Sequence, residues 1–178
     1  FLCSSSNSVC NTINLYFAAT TSGALTALKY DGADLLFNPS NSTLTCTNFA
    51  GKATSAQYAD LAEIYASECP LEPGDVVMIG GEKEITTCTD ADLVFGVVST
   101  QPGFLLNAGA EGYPVALKGR VPVHLKGPLH KGQRIVLSDE AGIAQGASEK
   151  DINPFAVIGK AINDKETDTK ELVEIILT

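Results

Sequence analysis

One ten-residue pattern occurs twice in this chain, and the repetition limits the folds that the chain can adopt. Residues 70–79 read PLEPGDVVMI, and residues 128–137 read PLHKGQRIVL. Each copy places Pro-Leu, two residues, a glycine and a polar residue before an apolar run of strand length. A second pair follows in the same order, LVFGVVS at 93–99 and AVIGKAI at 156–162. We therefore expect a duplicated β unit folded into one pseudo-symmetric barrel, since two copies are too few for a solenoid.

The glycines of the repeat are expected to serve backbone geometry. Gly74 and Gly132 stand in the turn that begins each strand, where glycine readily adopts a positive φ. Gly96 and Gly159 stand inside apolar strands, where glycine often marks a bulge or a tight bend. The pattern therefore predicts bent strands of the kind that close a barrel.

Residues 68–178 are predicted to form a compact, mainly β head, either a barrel or a sandwich. Short apolar runs alternate there with Gly and Pro turns. Hydrophobic residues make up 44% of the chain, which is enough for a packed core. The predicted strands are 76–79, 83–87, 93–99, 115–117, 121–125, 134–137, 155–162 and 172–177.

Residues 1–47 are predicted to form a thin, β-rich stem or an intertwined segment. They are rich in Ser, Thr, Asn and Ala, and few of their side chains are large enough to build an independent core. The runs at 14–20 and 23–30 look like strands, and 30–46 has the pattern of strand, turn and strand. We expect this segment to gain its burial from neighbours, including copies of itself.

Residues 48–67 are predicted to link the stem to the head. Alanines recur there at spacings of three and four, which is a helical period with very small side chains. One alternative is a short amphipathic helix on its own domain. The other is a narrow helix or extended linker packed around a symmetry axis. In that case the candidate contacts between copies are Ala53, Ala56, Ala59, Ala62 and Ala66.

Charge and composition narrow the classes of partner. The net charge is −9, which argues against nucleic acid because phosphate binding needs clustered Lys and Arg. No segment approaches the roughly 18 apolar residues of a spanning helix, so membrane insertion is not expected. The chain opens at Phe1, and we expect a fragment, a processed product or the ordered part of a longer protein.

The five cysteines include no CxxC pair, which disfavours a zinc ribbon or a thioredoxin-type site. Cys46, Cys69 and Cys88 are expected to be small, buried or half-buried thiols. Cys3 and Cys10 are candidates for a local disulfide, provided that the geometry permits it and the environment is oxidising.

No catalytic motif is complete in the sequence. His124 and His130 lack the spacing of zinc ligands, so neither a metal nor a cofactor is expected. His124 alternates with apolar residues, which predicts that it faces away from the core. Ser138 and Asp139 are the adjacent pair to test for nucleophilic catalysis, although they also read as a polar turn. The charged run at 165–171 is expected to be solvated surface.

Four pieces of the chain, in this order, resemble the C-terminal region of bacteriophage tail-fibre and related virion appendage proteins. The resemblance spans roughly residues 41–144. It implies a non-enzymatic structural part of a virion, a homotrimer that also contacts other virion proteins and a host-surface glycan or protein. The pieces are GKATSAQYADLAEIY, EPGDVVMIGG, GVVSTQPGFLLN and VALKGRVPVHLKGPLHKG.

Two alternatives remain beside this one. The YADLAE opening is similar to a self-cleaving trimerisation chaperone, the peptidase G2 type, in which scission depends on a serine and an acidic residue. For that activity Ser138 and Asp139 are the positions to test. The second alternative is a virion protein that binds or degrades glycans, although the sequence shows no obvious pair of glycosidase carboxylates.

Overall fold

The structure is a computed structural model of the chain, and it divides into two compact units. The first unit is 1–53 and the second is 54–178, so the division falls inside the predicted linker. The residues that the structure describes are 13–14, 16–18, 28–30, 35–38, 40–46, 50, 55–56, 58–148 and 153–178.

The described part of the first unit contains five short strands in two small antiparallel sheets. They are β1 (Ile13–Asn14), β2 (Tyr16–Ala18), β3 (Leu28–Tyr30), β4 (Leu35–Asn38) and β5 (Thr43–Cys46). β4 lies between β1 and β5, and β2 pairs with β3. The predicted strand, turn and strand at 30–46 is therefore confirmed. Its turn is closed locally, because the Thr43 amide donates to Asn41 Oδ1 over 3.2 Å.

The second unit, which we call the head, has ten strands among its described residues. They are β6 (Asp60–Tyr65), β7 (Val76–Ile79), β8 (Ile85–Thr87), β9 (Val94–Val98), β10 (Phe104–Leu106), β11 (Tyr113–Lys126), β12 (Arg134–Leu137), β13 (Ala144–Gly146), β14 (Val157–Ala161) and β15 (Glu171–Leu177). All ten belong to one sheet. The described helices are two single 3-10 turns, Ala91–Leu93 and Pro154–Ala156. The mainly β class is confirmed, and the predicted strands at 115–117 and 121–125 are one continuous strand.

Five strands of the head close into a barrel. Their order is β13, β12, β14, β15 and β11, and the parallel pairing of Leu125 with Ala144 joins β11 back to β13. The largest wholly buried side chains of this part include Leu125, Ile135 and Ile175. Each such apolar side chain contributes about 1.5–3 kcal/mol when it is fully buried. The predicted barrel is therefore present, with a core that stabilises it.

The other half of the head forms a corresponding ring of five strands. The order here is β8, β7, β9, the first half of β11, and β6. An isolated parallel bridge joins Ser67, two residues after β6 ends, to Ile85 of β8. A separate buried cluster lies here, formed by Leu71, Val77, Ile85, Val98 and Val115. The head therefore contains the predicted closed barrel, and the duplicated unit adds a second ring of strands that shares β11 with it.

The pairing registers show that the two rings are copies of each other. Val77 lies opposite Gly96 in the first ring, and Ile135 lies opposite Gly159 in the second. In both pairs the register slips immediately beyond the glycine, as a β-bulge does. We call the ring that contains β7 and β9 the first repeat, and the closed barrel that contains β12 and β14 the second repeat.

The strand glycines are required because the neighbouring backbone comes very close. A Cβ added at Gly96 would lie 2.7 Å from the Ala116 carbonyl oxygen. A Cβ added at Gly159 would overlap the Ile176 carbonyl oxygen, which holds the matching place in the second repeat. The expectation that these glycines mark bulges is confirmed.

The helical alternative for residues 48–67 is wrong over Asp60–Tyr65, which form β6. Their burial alternates with period two, so that Asp60, Ala62 and Ile64 point inward. β6 has hydrogen-bonded neighbours on both edges, β10 and β11. Strand pairing with distant residues therefore overrides the helical spacing of the alanines.

Replacing Gly159 with Ala is expected to lower the free energy of unfolding by about 2 kcal/mol or more, because the bulge must move to make room for the methyl group. Urea unfolding of the purified chain measures this change. Gly109→Ala is the matched control, since nothing lies within 4 Å of a Cβ there. The control should change the free energy by less than about 0.5 kcal/mol. Equal unfolding midpoints for the two variants would contradict this account of the bulge.

Candidate functional site

The serine and aspartate singled out in the sequence lie in the turn between β12 and β13. Ser138 Oγ accepts a hydrogen bond from the Glu140 amide at 3.0 Å and donates to the Glu140 carbonyl at 3.3 Å. The Asp139 carboxylate is paired with the Lys126 ammonium, which lowers the pKa of Asp139. Lys126 also bonds Glu140 at 2.9 Å. Among the described residues, no general base contacts the Ser138 hydroxyl, and the local bonds are those of a polar turn.

The two histidines occupy different environments. His124 Nδ1 lies 3.0 Å from Asp75 Oδ1, and only 14% of its side chain is exposed. Its amide also donates to the Gly74 carbonyl at 2.8 Å. His124 thus faces away from the buried side of β11, as predicted, and there it lies against the turn before β7. His130 is exposed, with Nδ1 3.9 Å from Asp164 Oδ1.

The described residues offer neither a metal cluster nor a spanning helix. No three His, Cys, Asp or Glu side chains among them are placed to hold a metal ion. No helix in the same residues has the length and apolar character needed to cross a membrane.

A buried lysine corrects one expectation about the charged run at 165–171. Lys165 is 8% exposed, and its ammonium donates to the carbonyls of Gly127, Thr167 and Thr169 at 2.6–2.9 Å. Glu171 Oε1 lies 3.2 Å away. The lysine therefore holds two loops together, and its charge is offset by oxygen atoms that the sequence pattern does not reveal.

A buried carboxylate organises the cleft beside β6. Ser99 Oγ donates to Asp60 Oδ2 at 2.6 Å, and the Gly103 amide donates to Asp60 Oδ1 at 3.2 Å. Asp60 and Ser99 are 6% and 3% exposed. They border a cleft of about 390 Å³, which is also lined by Tyr58, Gln101, Arg120 and Glu174. Because the two carboxylate oxygens of Asp60 accept hydrogen bonds from Ser99 and Gly103, Asp60 fixes the position of the loop after β9.

The described cysteines are thiols of two kinds. Cys46 and Cys69 are half-buried, Cys88 is buried, and all three are free, which confirms the expectation for them. Cys3 and Cys10 lie outside the described residues. Cys69 Sγ lies 3.3 Å from Ser67 Oγ and 3.5 Å from Thr86 Oγ1, and hydrogen bonds from these hydroxyls lower the pKa of Cys69 to about 7. Burial raises the pKa of Cys88.

An exposed apolar surface, which we call the β10 face, runs along β6 and β10. The two strands pair in parallel, with Phe104 opposite Leu61. The face consists of Tyr58, Leu61, Phe104 and Leu106, which are 42%, 38%, 65% and 38% exposed. Within the described strands, β10 pairs only with β6, so its other edge is open. An open edge beside apolar side chains is a surface suited to association with another chain.

The alanines proposed as contacts between copies differ in exposure. Ala56 and Ala59 are exposed and precede β6, and Ala66 is half-buried just after it. Ala62 is wholly buried and pairs with Ala116 of the same chain, so its side chain has no surface for another copy. Ala53 lies outside the described residues. The contact role of Ala56, Ala59 and Ala66 stays a prediction.

Comparison with known proteins identifies the fold. No protein-family model and no curated protein sequence matches the chain. Among solved structures, the chain is similar to the pre-mature bacteriophage phi29 gene product 12, with a TM-score of 0.53 and 12% sequence identity. The similarity covers 82% of this chain and 24% of that chain. At this identity the likeness shows the fold alone, and the chain has a fold that occurs in part of a bacteriophage protein.

Cys69 is expected to react with a maleimide with a rate that rises through a midpoint near pH 7, because the thiolate is the nucleophile. Cys88 should react far more slowly, since it is fully buried. Labelling of each cysteine peptide, followed by mass spectrometry over a range of pH, measures both rates. Cys69→Ser is the control that assigns the fast phase. A midpoint at the ordinary value of about 8.5 would contradict the hydroxyl hydrogen bonds.

Proposed function

We propose that the chain is part of a non-enzymatic structural protein of a bacteriophage virion. Its place is an appendage such as a tail fibre, a tip or a capsid-attached projection, and it acts as a homotrimer in assembly and host attachment. The observation that carries the proposal is the fold shared with part of a bacteriophage protein. The four sequence pieces that resemble virion appendage proteins support it independently of the fold.

The β10 face supports the self-association in this proposal. Phe104 and Leu106 leave apolar surface in water, and burial of such surface contributes about 25 cal/mol per Å². The open edge of β10 also carries backbone groups that another strand can pair with. Three heads held together would raise the strength of attachment, because several weak host contacts form at once.

The full chain in solution is expected to have three times the chain mass of 18.6 kDa. Light scattering and native mass spectrometry measure it. In purified phage particles that contain the chain, its copy number should be a multiple of three. Replacing Phe104 and Leu106 together with Ser should shift the chain toward monomer, since the apolar contact is lost.

Leu93→Ser is the matched control for that pair. Leu93 is 53% exposed and lies on the Ala91–Leu93 turn, which is not part of the β10 face. The control should keep the mass of the unaltered chain. A monomeric mass for the unaltered chain at every concentration would refute the trimer.

Self-cleavage is the second candidate function. The similar solved structure is of a pre-mature form of its protein, and the YADLAE opening is similar to a self-cleaving chaperone. If the chain cleaves itself through Ser138, folding should yield two fragments in denaturing gels, and Ser138→Ala should abolish them. Asp139→Asn tests the acidic partner in the same gel. An intact band from the unaltered chain after prolonged incubation would remove this candidate.

A further inference from the structure

The first repeat packs against the second through the side of its strands that faces out of its own ring, opposite to the side that carries Val77. Three wholly buried side chains lie on this side and belong to the same apolar cluster as the core of the second repeat: Val76, Val97 and Ala116. The turn between β12 and β13 reaches across to this side. The Val76 amide donates to the Gly142 carbonyl at 2.9 Å, and the Gly142 amide donates to the Cys88 carbonyl at 2.8 Å.

The second repeat has an equivalent side, which we call the end face, and it is exposed. Val76 and Val97 are cross-strand partners in the first repeat, and Ala116 continues the same row on the next strand. The corresponding row of the second repeat is Arg134, Lys160 and Ile176. Ile176 is 44% exposed, and both cations are exposed. The end face borders a cleft of about 330 Å³.

The end face carries positive charge that no described residue neutralises. Arg134 lies directly opposite Lys160 on paired strands, and like charges in that position destabilise a sheet. None of the ion pairs or side-chain hydrogen bonds of the described residues involves either side chain. The chain as a whole has 21 acidic and 12 basic residues. An acidic partner would therefore relieve a repulsion as well as form new pairs.

The β12–β13 turn of the second repeat has a counterpart in the first repeat, the β7–β8 turn. The turn between β7 and β8 spans residues 80–84 and matches the β12–β13 turn by register. It carries exposed Glu82 and Glu84 on either side of Lys83. The Lys83 ammonium donates to the Ser67 carbonyl at 3.2 Å, and Glu84 Oε2 accepts from the Ala66 amide at 2.8 Å, which leaves Glu82 and the second oxygen of Glu84 for a partner. Ile79, at its start, is 55% exposed, whereas the matching Leu137 is 8% exposed. The β7–β8 turn and the end face are thus complementary surfaces, and among the described residues they do not contact each other within one chain.

We propose that the β7–β8 turn of one copy docks on the end face of a second copy. The contact repeats between chains what the β12–β13 turn does within one chain. Glu82 and Glu84 pair with Arg134 and Lys160, and Ile79 covers Ile176. The proposal rests on the self-association in the proposed function, and it adds a surface distinct from the β10 face. Because the two contacting surfaces differ, the contact is head to tail. Copies joined in this way form a closed assembly only if they complete a ring.

A charge exchange on the full chain tests this contact. Arg134→Glu with Lys160→Glu should raise the dissociation constant between copies about tenfold or more, and Glu82→Lys with Glu84→Lys should do the same. The chain that carries all four substitutions should associate within about threefold of the unaltered chain. Sedimentation velocity at low salt measures all of these constants, and added salt should weaken the unaltered contact.

The matched control is Lys131→Glu with Lys170→Glu, which changes the net charge equally at exposed loop positions outside the row Arg134, Lys160 and Ile176. It should leave association unchanged. The inference is overturned if Arg134→Glu with Lys160→Glu associates like this control, or if the fourfold exchange restores nothing. If those charge variants stay trimeric while the Phe104 and Leu106 pair gives monomers, this contact fails and the proposed trimer stands. A monomer at every concentration for the unaltered chain removes both.

Discussion

Strand β11 is the element on which the rest of the head depends, because both rings use it to satisfy their backbone hydrogen bonds. Its first half pairs with β6 and β9, and its second half pairs with β15 and β13. The change occurs at Gly119, which is opposite Asp60 on one side and Leu177 on the other. Gly119 has a φ of 108°, and a side chain there would overlap the Ala59 carbonyl. A single residue without a Cβ thus allows one strand to serve two rings.

The two repeats keep what lies inside the rings and differ in what lies outside. Val77 and Ile135 hold the same buried place, as do Val98 and Ala161. The outer row is apolar where the other repeat covers it and cationic where the head ends. A polar outer side keeps the last unit of a series soluble. The same charge gives the end face its preference for an acidic partner.

Polar side chains in the head mostly hold loops against strands. Asp60 fixes the loop after β9, and Lys165 draws three carbonyls together. In the repeated turns, Asp75 accepts from the Glu72 amide and Gln133 accepts from the His130 amide. These bonds fix the loops against the strands of the head. Among the described residues, the surfaces that we propose for partners are the β10 face, the end face and the β7–β8 turn.

The amino-acid sequence by itself determined the repeat, the mainly β class, most strands of the head and the glycines of the two bulges, since apolar alternation and turn residues act over a few positions. It did not predict β6, β10 or β13. The alanines of β6 fit a helical period, and only pairing with β11 makes them a strand. The contacts of Asp60 with Ser99 and of Lys165 with Gly127 join residues far apart in the chain. So does the row formed by Arg134, Lys160 and Ile176. Local patterns do not record which distant strands become neighbours, and closure of the two rings decides it.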